Sequence, residues 1–505
     1  MHFLLQRWKL VEALQEVNRP RLLARRRARE LAVVDLRGSV LVGLLWCVAL
    51  LSLLVVGVLH AVSMELRVAK NYGDTIQAHY LALAGVEKAK AVLFHDAKER
   101  KTSKVNHSKS VYNAPDQFRD VVLGRGQFSV IRQGSSSDGQ GLIYGVSDEE
   151  SRLNVNRASS EELAKLPNIP PETVAAIIDY RDRDNSVTQG GAESEEYAAL
   201  QPPYLPRNGP FRTLRELLLV RGISRQLLVG EDANFNGLLD DEEDDGTSSD
   251  PPDNRDGYLD AGWAGFLTID SGTRNVNAAG EARVNVQNAE ESALAAVEGL
   301  STDIAKAIVQ SRGENRLESI ADLLEVRAPV PANQRRTPPP TSNQPAGRGG
   351  SGRTPTQAQG QGTPQTPPPQ QPTGPPLIDE QLLITIGDDV TTQSSMEQPG
   401  LVNVNSASLE VLMCLPGLTR ELAQAVINQR ESSGYFANTA GLLKVTGITR
   451  AIFKQLAPRI TARSETFRIM SEGTVKSSGA RKRMQVVVRV GNYFVDTLYC
   501  REDDL

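Results

Sequence analysis

Residues 232–243 read Asp-Ala-Asn-Phe-Asn-Gly-Leu-Leu-Asp-Asp-Glu-Glu, and their spacing fits the calcium loop of an EF-hand at every ligand position. Asp232, Asn234 and Asn236 offer side-chain oxygens, and Gly237 permits the sharp turn. Leu238 offers its carbonyl, Asp240 a direct or water-mediated oxygen, and Glu243 two oxygens at once. Hard oxygen donors in this number and spacing suit Ca²⁺ rather than zinc or copper. A degenerate second loop follows, with Asn254, Asp256, Gly257, Tyr258 and Asp260 in matching positions. Pro252 stands where its first ligand belongs, and Asp250 or Asp253 is the available replacement. Residues 231–260 carry twelve acids against one base, Arg255, a density that repels itself unless a cation binds. The expected ion is a structural one, cross-bridging a loop with little core of its own; a solvated acidic loop is the plainer alternative.

No other residues assemble into a reactive set. There is no Ser/His/Asp arrangement, no phosphate-cradling glycine loop and no dinucleotide fingerprint, so an enzyme is not expected. Five histidines are scattered, and three cysteines exclude both a disulfide scaffold and a cysteine zinc cluster. Cys47 lies in an apolar run, which leaves Cys414 and Cys500 as the one pair that could bridge; a buried free thiol is the simpler reading of Cys414. The 505 residues suffice for three or four domains, and Lys+Arg 56 against Asp+Glu 61 gives a net charge of −5. That balance argues against a bulk nucleic-acid binder.

The elements that position the acidic loops are legible as a repeat. Leu153-Asn154-Val155-Asn156-Arg157-Ala158 recurs as Val284-Asn285-Val286-Gln287-Asn288-Ala289 and as Val402-Asn403-Val404-Asn405-Ser406-Ala407. Each copy keeps register through Leu166, Val297 and Leu415, through Ile169, Leu300 and Leu418, and through Arg181, Arg312 and Arg430. Each reads as a helix with a polar cap, a hairpin and a second helix, followed by Leu214–Val220, Ile320–Val326 or Thr439–Val445. Two of these run into a further hairpin at Gly222 and Gly447. This resembles the helix-hairpin-helix motif, whose hairpin amides meet DNA phosphates. Phosphate affinity needs nearby Lys/Arg, and only Pro416-Gly417-Leu418-Thr419-Arg420 has that character, so a packing role is favoured and nucleic acid is not an expected partner.

Segments 127–132 and 142–146 precede the repeats, and 467–475, 484–490 and 493–499 follow them, all with strand-like composition. Val40 to Leu59 carries no charge and is long enough to span a bilayer as a helix. Residues 1–38 hold nine Arg/Lys against four acids, which keeps that end in the cytoplasm and places the bulk of the chain across the membrane. The absence of proline from His60 to about Lys98 continues the helix beyond the membrane. Residues 329–376 contain 14 prolines, seven glycines and no acid, the composition of a disordered linker.

Arg37-Gly38 followed by Ser39-Val40-Leu41 at the start of an apolar helix resembles the processing site of type IV pilins and pseudopilins, in which a prepilin peptidase cuts after the glycine. Gly43 occupies the place of the usual glutamate, a loss typical in that family of the minor pseudopilin K of type II secretion systems. Tyr144-Gly145-Val146-Ser147-Asp148-Glu149-Glu150-Ser151-Arg152-Leu153-Asn154-Val155-Asn156 is similar to that family's entry into its first helical unit. The resemblance implies an α+β fold: a long N-terminal helix packed on a small antiparallel sheet, with a large all-α domain inserted. It implies the following division: a leader 1–38 cleaved between Gly38 and Ser39; a transmembrane helix 39–62; a pilin-like helix and first strands 63–149. A helical domain 150–328 with the calcium loops, the linker 329–376, a third helix-hairpin-helix unit 377–463 and closing strands 464–505 complete the chain. It further implies a methylated N-terminus, calcium in the helical domain, single-pass anchorage in the inner membrane with a periplasmic bulk, and the I and J minor pseudopilins as partners at a pseudopilus tip. The alternative is a membrane-tethered DNA receptor of the competence type. A third reading, a calcium-dependent adhesin, explains the acidic loops but not the pilin-like start.

Overall fold

The computed structural model describes residues 37–103, 109–134, 141–248, 251–328 and 374–503. The leader up to residue 36 and the linker from 329 to 373 therefore lie outside the described residues. The described residues up to Lys70 form one unit and those from Asn71 onward another. Helix α1, Arg37–Ser103, contains Gly38 and Ser39 in its first turn. Within the first unit the side chains from Val40 onward are exposed. This stretch is long and apolar enough to cross a membrane, and none of its apolar window is buried in the chain.

In the second unit the helix turns amphipathic. Ala78, Ala82, Val86, Ala89 and Leu93 recur at helical spacing and are buried. Most of that stripe packs with Val130, Phe467, Ile469, Val486 and Val488 of a sheet. The approach is close enough to demand glycine on both sides. A Cβ at Gly85 would lie 2.1 Å from Ser471 Oγ, and one at Gly473 would lie 2.1 Å from the Ala78 carbonyl oxygen.

The sheet has seven strands: β1 (Val121–Leu123), β2 (Gly126–Gln133), β3 (Leu142–Tyr144), β4 (Ser147–Asp148), β5 (Thr466–Val475), β6 (Arg481–Val490) and β7 (Val495–Asp503). Its order is β1-β2-β5-β6-β7, with β3 on β2 and β4 on β5, and every pairing is antiparallel. The last strand starts later than the 493–499 expectation because a Gly491 N–H to Phe494 carbonyl bond of 2.8 Å folds residues 491–494 into a turn. The chain leaves the sheet after Asp148 and returns at Thr466, so the helical region is an insertion.

That insertion holds three similar modules, 153–268, 284–391 and 402–461. Each opens and closes on a two-residue parallel pairing: Leu153–Asn154 with Leu267–Thr268, Val284–Asn285 with Val390–Thr391, Val402–Asn403 with Ile460–Thr461. Between them run two helices (Ser160–Leu163 and Pro171–Arg181, Glu291–Ala295 and Thr302–Glu314, Leu409–Cys414 and Arg420–Ser433). A 3₁₀ turn and a short fourth helix complete each: Arg225–Val229, Glu380–Ile386 and Arg450–Leu456. The all-α expectation is thus nearly met, with these short pairings and the strand pair Gly272–Arg274 with Glu397–Pro399 as the exceptions.

Residues 377–391 differ from the expected division. The expected division places them in the third unit, 377–463, but Glu380–Ile386 and Val390–Thr391 complete the second module. The linker is therefore an insertion in that module's second hairpin, clamped at its base by an Arg327–Pro376 bridge and a Leu377 N–H to Val326 carbonyl bond of 3.0 Å. Replacing 329–373 by a two-residue turn should stabilise the module by about 2 kcal/mol, through the lower closure entropy of a short loop. Urea unfolding reads this, and a loss of stability would place the linker in the folded core.

The recurring arginines close each module. Arg312 Nη1 donates to the Val286 and Ala289 carbonyls at 2.9 and 2.7 Å, and Arg430 Nη1 to those of Val404 and Ala407 at 2.9 Å each. Arg181 bonds the Val155 and Ala158 carbonyls in the same way. A second recurring bond joins the module ends: Asn154 to Ser271 (3.0 Å), Asn285 to Ser394 (3.1 Å) and Asn403 to Ser464 (2.8 Å).

Sheet and modules meet at three buried acids, Asp148, Glu149 and Glu150. Asp148 Oδ2 accepts from Asn403 at 3.0 Å and from the Ser406 and Ser464 hydroxyls. Glu150 accepts from the Gly272 and Thr466 N–H groups at 3.0 and 3.1 Å. Burial raises both carboxyls, most strongly Glu150, where the Asp148 charge adds to it. A raised carboxyl pKa means the folded state holds a proton the unfolded state releases. Stability from this pair is full below the ordinary values of 3.8 and 4.5 and falls as pH rises from there through the raised values. Denaturant midpoints across that window should fall less steeply in Glu150→Gln; an unchanged slope would remove the pair as its source.

Candidate metal centre

The first acidic loop follows Arg225–Val229 directly, and its turn conformation comes from the short polar side chains at alternate positions. Asp232 accepts from the Asn236 and Gly237 N–H groups at 3.0 and 2.9 Å. Asn234 Oδ1 accepts from Asn236 N–H at 2.8 Å, and Asn236 Oδ1 from Leu238 N–H at 2.7 Å. Gly237 has φ +71, the left-handed turn its place in the motif requires. Glu243 folds back so that its two oxygens accept from the Asn234 and Asp240 N–H groups at 3.5 and 3.2 Å. Asp232, Asn236 and Glu243 are buried, Asp240 is half-buried and Asn234 is exposed. Burial, with Asp232 and Asp240 nearby, pushes Glu243 up to about 7, and burial also raises Asp232. Burial would raise Asp240 too, but the Arg483 guanidinium at 2.6 Å outweighs it and holds the carboxyl below its ordinary value.

The second loop repeats this pattern with two carboxylates from outside its own sequence. Asn254 Oδ1 accepts from Asp256 N–H and Asp256 Oδ1 from Tyr258 N–H, both at 2.9 Å. Asp244 accepts from Gly257 N–H at 3.3 Å, the place Asp232 holds toward Gly237 in the first loop. Glu231 accepts from the Asn254 and Asp260 N–H groups at 3.3 and 3.0 Å, the place Glu243 holds toward Asn234 and Asp240. The missing first position is thus filled by Asp244 rather than by Asp253, whose carboxylate is spent on the Asp245, Gly246 and Arg255 N–H groups. Asp250 lies outside the described residues. The second loop borrows from both flanks of the first, which a twelve-residue pattern cannot reveal.

Sequence reasoning also missed a third group. Among the described residues, Asp179, Asp182 and Glu193 bring one ligand oxygen each within 4.8 Å of the others. Asp179 and Glu193 are buried, and both Glu193 oxygens lack a hydrogen-bond partner. Burial and then the Asp179, Asp182 and Asp184 charges push Glu193 up to about 7. The three carboxylates, spread over a helix end and the loop after it, fit an oxygen-loving cation.

The recurring arginines are turned away from any phosphate. Arg181, Arg312 and Arg430 point at carbonyls of their own modules. The Thr419 and Thr449 hydroxyls cap their own helices, at Leu422 and Ile452. Cys414 is buried, which pushes its thiol up to about 12, while Cys500 is exposed, and the two do not bridge.

Two family models match the chain: type II secretion system (T2SS), protein K, over residues 147–229, and the helix-hairpin-helix motif over 398–461. Type II secretion system protein K of Klebsiella pneumoniae is 28% identical over 160 residues, 30% of this chain and 48% of that protein. ComE operon protein 1 of Bacillus subtilis (strain 168) is 32% identical over 88 residues, 17% of this chain and 43% of that protein. An endonuclease/exonuclease/phosphatase family domain-containing protein 1 of Xenopus laevis is 38% identical over 64 residues, 13% and 12% of the two chains. The chain spans less than half the length of these curated relatives. The crystal structure of the GspK-GspI-GspJ complex from the enterotoxigenic Escherichia coli type 2 secretion system shows a looser likeness. Its TM-score is 0.40 at 13% identity, over 87% of this chain and 100% of that one. The chain resembles type II secretion system protein K, whose family model matches residues 147–229, and the helix-hairpin-helix model matches residues 398–461.

Proposed function

We propose that this chain is a minor pseudopilin of a type II secretion system, a non-enzymatic subunit at the tip of the pseudopilus that supports protein export across the outer membrane. The observation that carries the reading is the insertion of the protein K domain into a sheet that packs on the continuation of a long apolar helix. The helix anchors the chain once in the inner membrane, N-terminus in the cytoplasm and bulk in the periplasm. Prepilin peptidase cuts between Gly38 and Ser39, the new N-terminus is methylated, and the I and J minor pseudopilins are the partners. The inward-turned arginines of the helical modules disfavour the competence-type DNA receptor.

Calcium is the proposed structural cofactor. Asp232, Asn234, Asn236, the Leu238 carbonyl, Asp240 and Glu243 hold one ion. Asp244, Asn254, Asp256, the Tyr258 carbonyl, Asp260 and Glu231 fit a second. Asp179, Asp182 and Glu193 fit a further one. When bound, the cation supplies the charge that lets buried carboxylates crowd together.

The deciding experiment is the intact mass of the chain made with and without a prepilin peptidase. A mature form starting at Ser39, seen only with the peptidase, supports the pseudopilin. An intact Met1 in both samples sinks it and brings the DNA receptor forward.

A further inference from the structure

The first acidic loop touches the sheet at two places. β2 and β5 send alternate side chains to opposite faces. Val130 and Ile469 lie on the face covered by α1. Ile131 and Met470, register partners, point to the other face, where they pack with Leu238 and with Tyr144 of β3. Leu238 is only 2% exposed, although it sits in a polar loop with no regular structure around it. Two residues on, Asp240 accepts from Arg483 of β6 at 2.6 Å, and Arg483 also donates to Glu472 of β5 at 2.7 Å. One apolar and one ionic contact therefore join residues 232–243 to the sheet, and both come from positions that the calcium reading gives to ligands.

We infer that this loop is a cation-set latch, in which the bound ion holds the backbone that seats Leu238 on Ile131 and Met470 and so fastens the first helical module to the sheet. The inference rests on the calcium reading above. The physical link is short. The Leu238 carbonyl and the Leu238 side chain belong to one residue, so fixing the first toward an ion fixes where the second can go. Without a cation, Asp232, Asp240 and Glu243 repel one another, and the turn at Gly237 is free to open. An open loop leaves Ile131 and Met470 facing water. Linkage makes the effect mutual: seating Leu238 must tighten cation binding by the factor by which the cation favours the seat.

The test is amide hydrogen exchange by mass spectrometry on the full chain in detergent, in excess calcium and after chelation. Chelation should speed exchange in β2 and β5 around Ile131 and Met470 by about tenfold or more, the factor that exposing one leucine-sized contact allows. Leu238→Ala should still take up calcium, about tenfold more weakly, yet show the same β2 and β5 exchange with and without it. Leu238→Met, which keeps an apolar plug, should restore the difference and guards against a variant that merely folds badly. Arg483→Met should weaken the response in part. Calcium uptake by the wild-type chain with no change in β2 and β5 overturns the latch and leaves the calcium reading standing. No uptake overturns both.

Discussion

Glu149→Ala should lower the unfolding free energy by about 3–5 kcal/mol, the cost of leaving buried charges without their partner. Glu149 is fully buried. Its Oε1 forms ion pairs with Arg468 Nε of β5 at 2.7 Å and Arg152 Nη1 at 3.8 Å, and its Oε2 accepts from the Thr268 hydroxyl that closes the first module. Burial would raise its carboxyl, yet Arg468 and then Arg152 outweigh that and hold it below 4.5. Removing it strands two guanidinium groups whose side chains are only 17% and 18% exposed. It also cuts a tie between the sheet and the helical insertion. Glu149→Gln, which keeps an acceptor for Thr268 but loses the charge, should cost less. Urea midpoints of the two variants read the order, and a loss under about 1 kcal/mol for alanine would show that water reaches the arginines.

Calcium should raise the thermal midpoint, and chelation should lower it. A ligand at a hundred times its dissociation constant stabilises by about 2.7 kcal/mol per site. Loops of this type outside the cell bind at about 0.1–1 mM, so millimolar calcium is the range to scan. Glu243→Gln, which removes a two-oxygen ligand, should abolish the first increment. Glu231→Gln lies just outside the first loop's ligand pattern, so it should spare that increment and remove the second. Magnesium, smaller and slow to shed water, should do little. A midpoint indifferent to calcium in a folded chain would return both loops to the status of solvated acids.

Much of the fold was legible because it rests on periodicity. The apolar run, the strand composition around the insertion and the three-fold register each depend on local spacing, and the structure follows them. The repeated arginines were legible as positions but not as a function, since their partners are backbone carbonyls 23 and 26 residues earlier. The closing strands carried a signal that could have been read: Leu267-Thr268-Ile269-Asp270-Ser271, Val390-Thr391-Thr392-Gln393-Ser394 and Ile460-Thr461-Ala462-Arg463-Ser464 share an aliphatic-Thr-x-x-Ser pattern. That pattern would have assigned residues 377–391 to the second module. Glu231, Asp244 and Glu193 were beyond sequence reading, because what singles them out is burial and proximity across a loop.

The placement of the insertion also bears on how the chain reaches its native state. Ile131 pairs with Met470, and Phe467 with Asp148, so the central strands are joined by contacts of very high sequence separation. A chain synthesised from its N-terminus delivers β1 to β4 first and β5 to β7 last. Until then β2 has only its short neighbours β1 and β3, and an edge able to pair with foreign strands. The three modules, each closed by contacts within itself, can form in turn while the sheet waits. The sheet is then the last part to assemble and the slowest, and the interval before Thr466 arrives is when this protein is most exposed to aggregation and most dependent on chaperones.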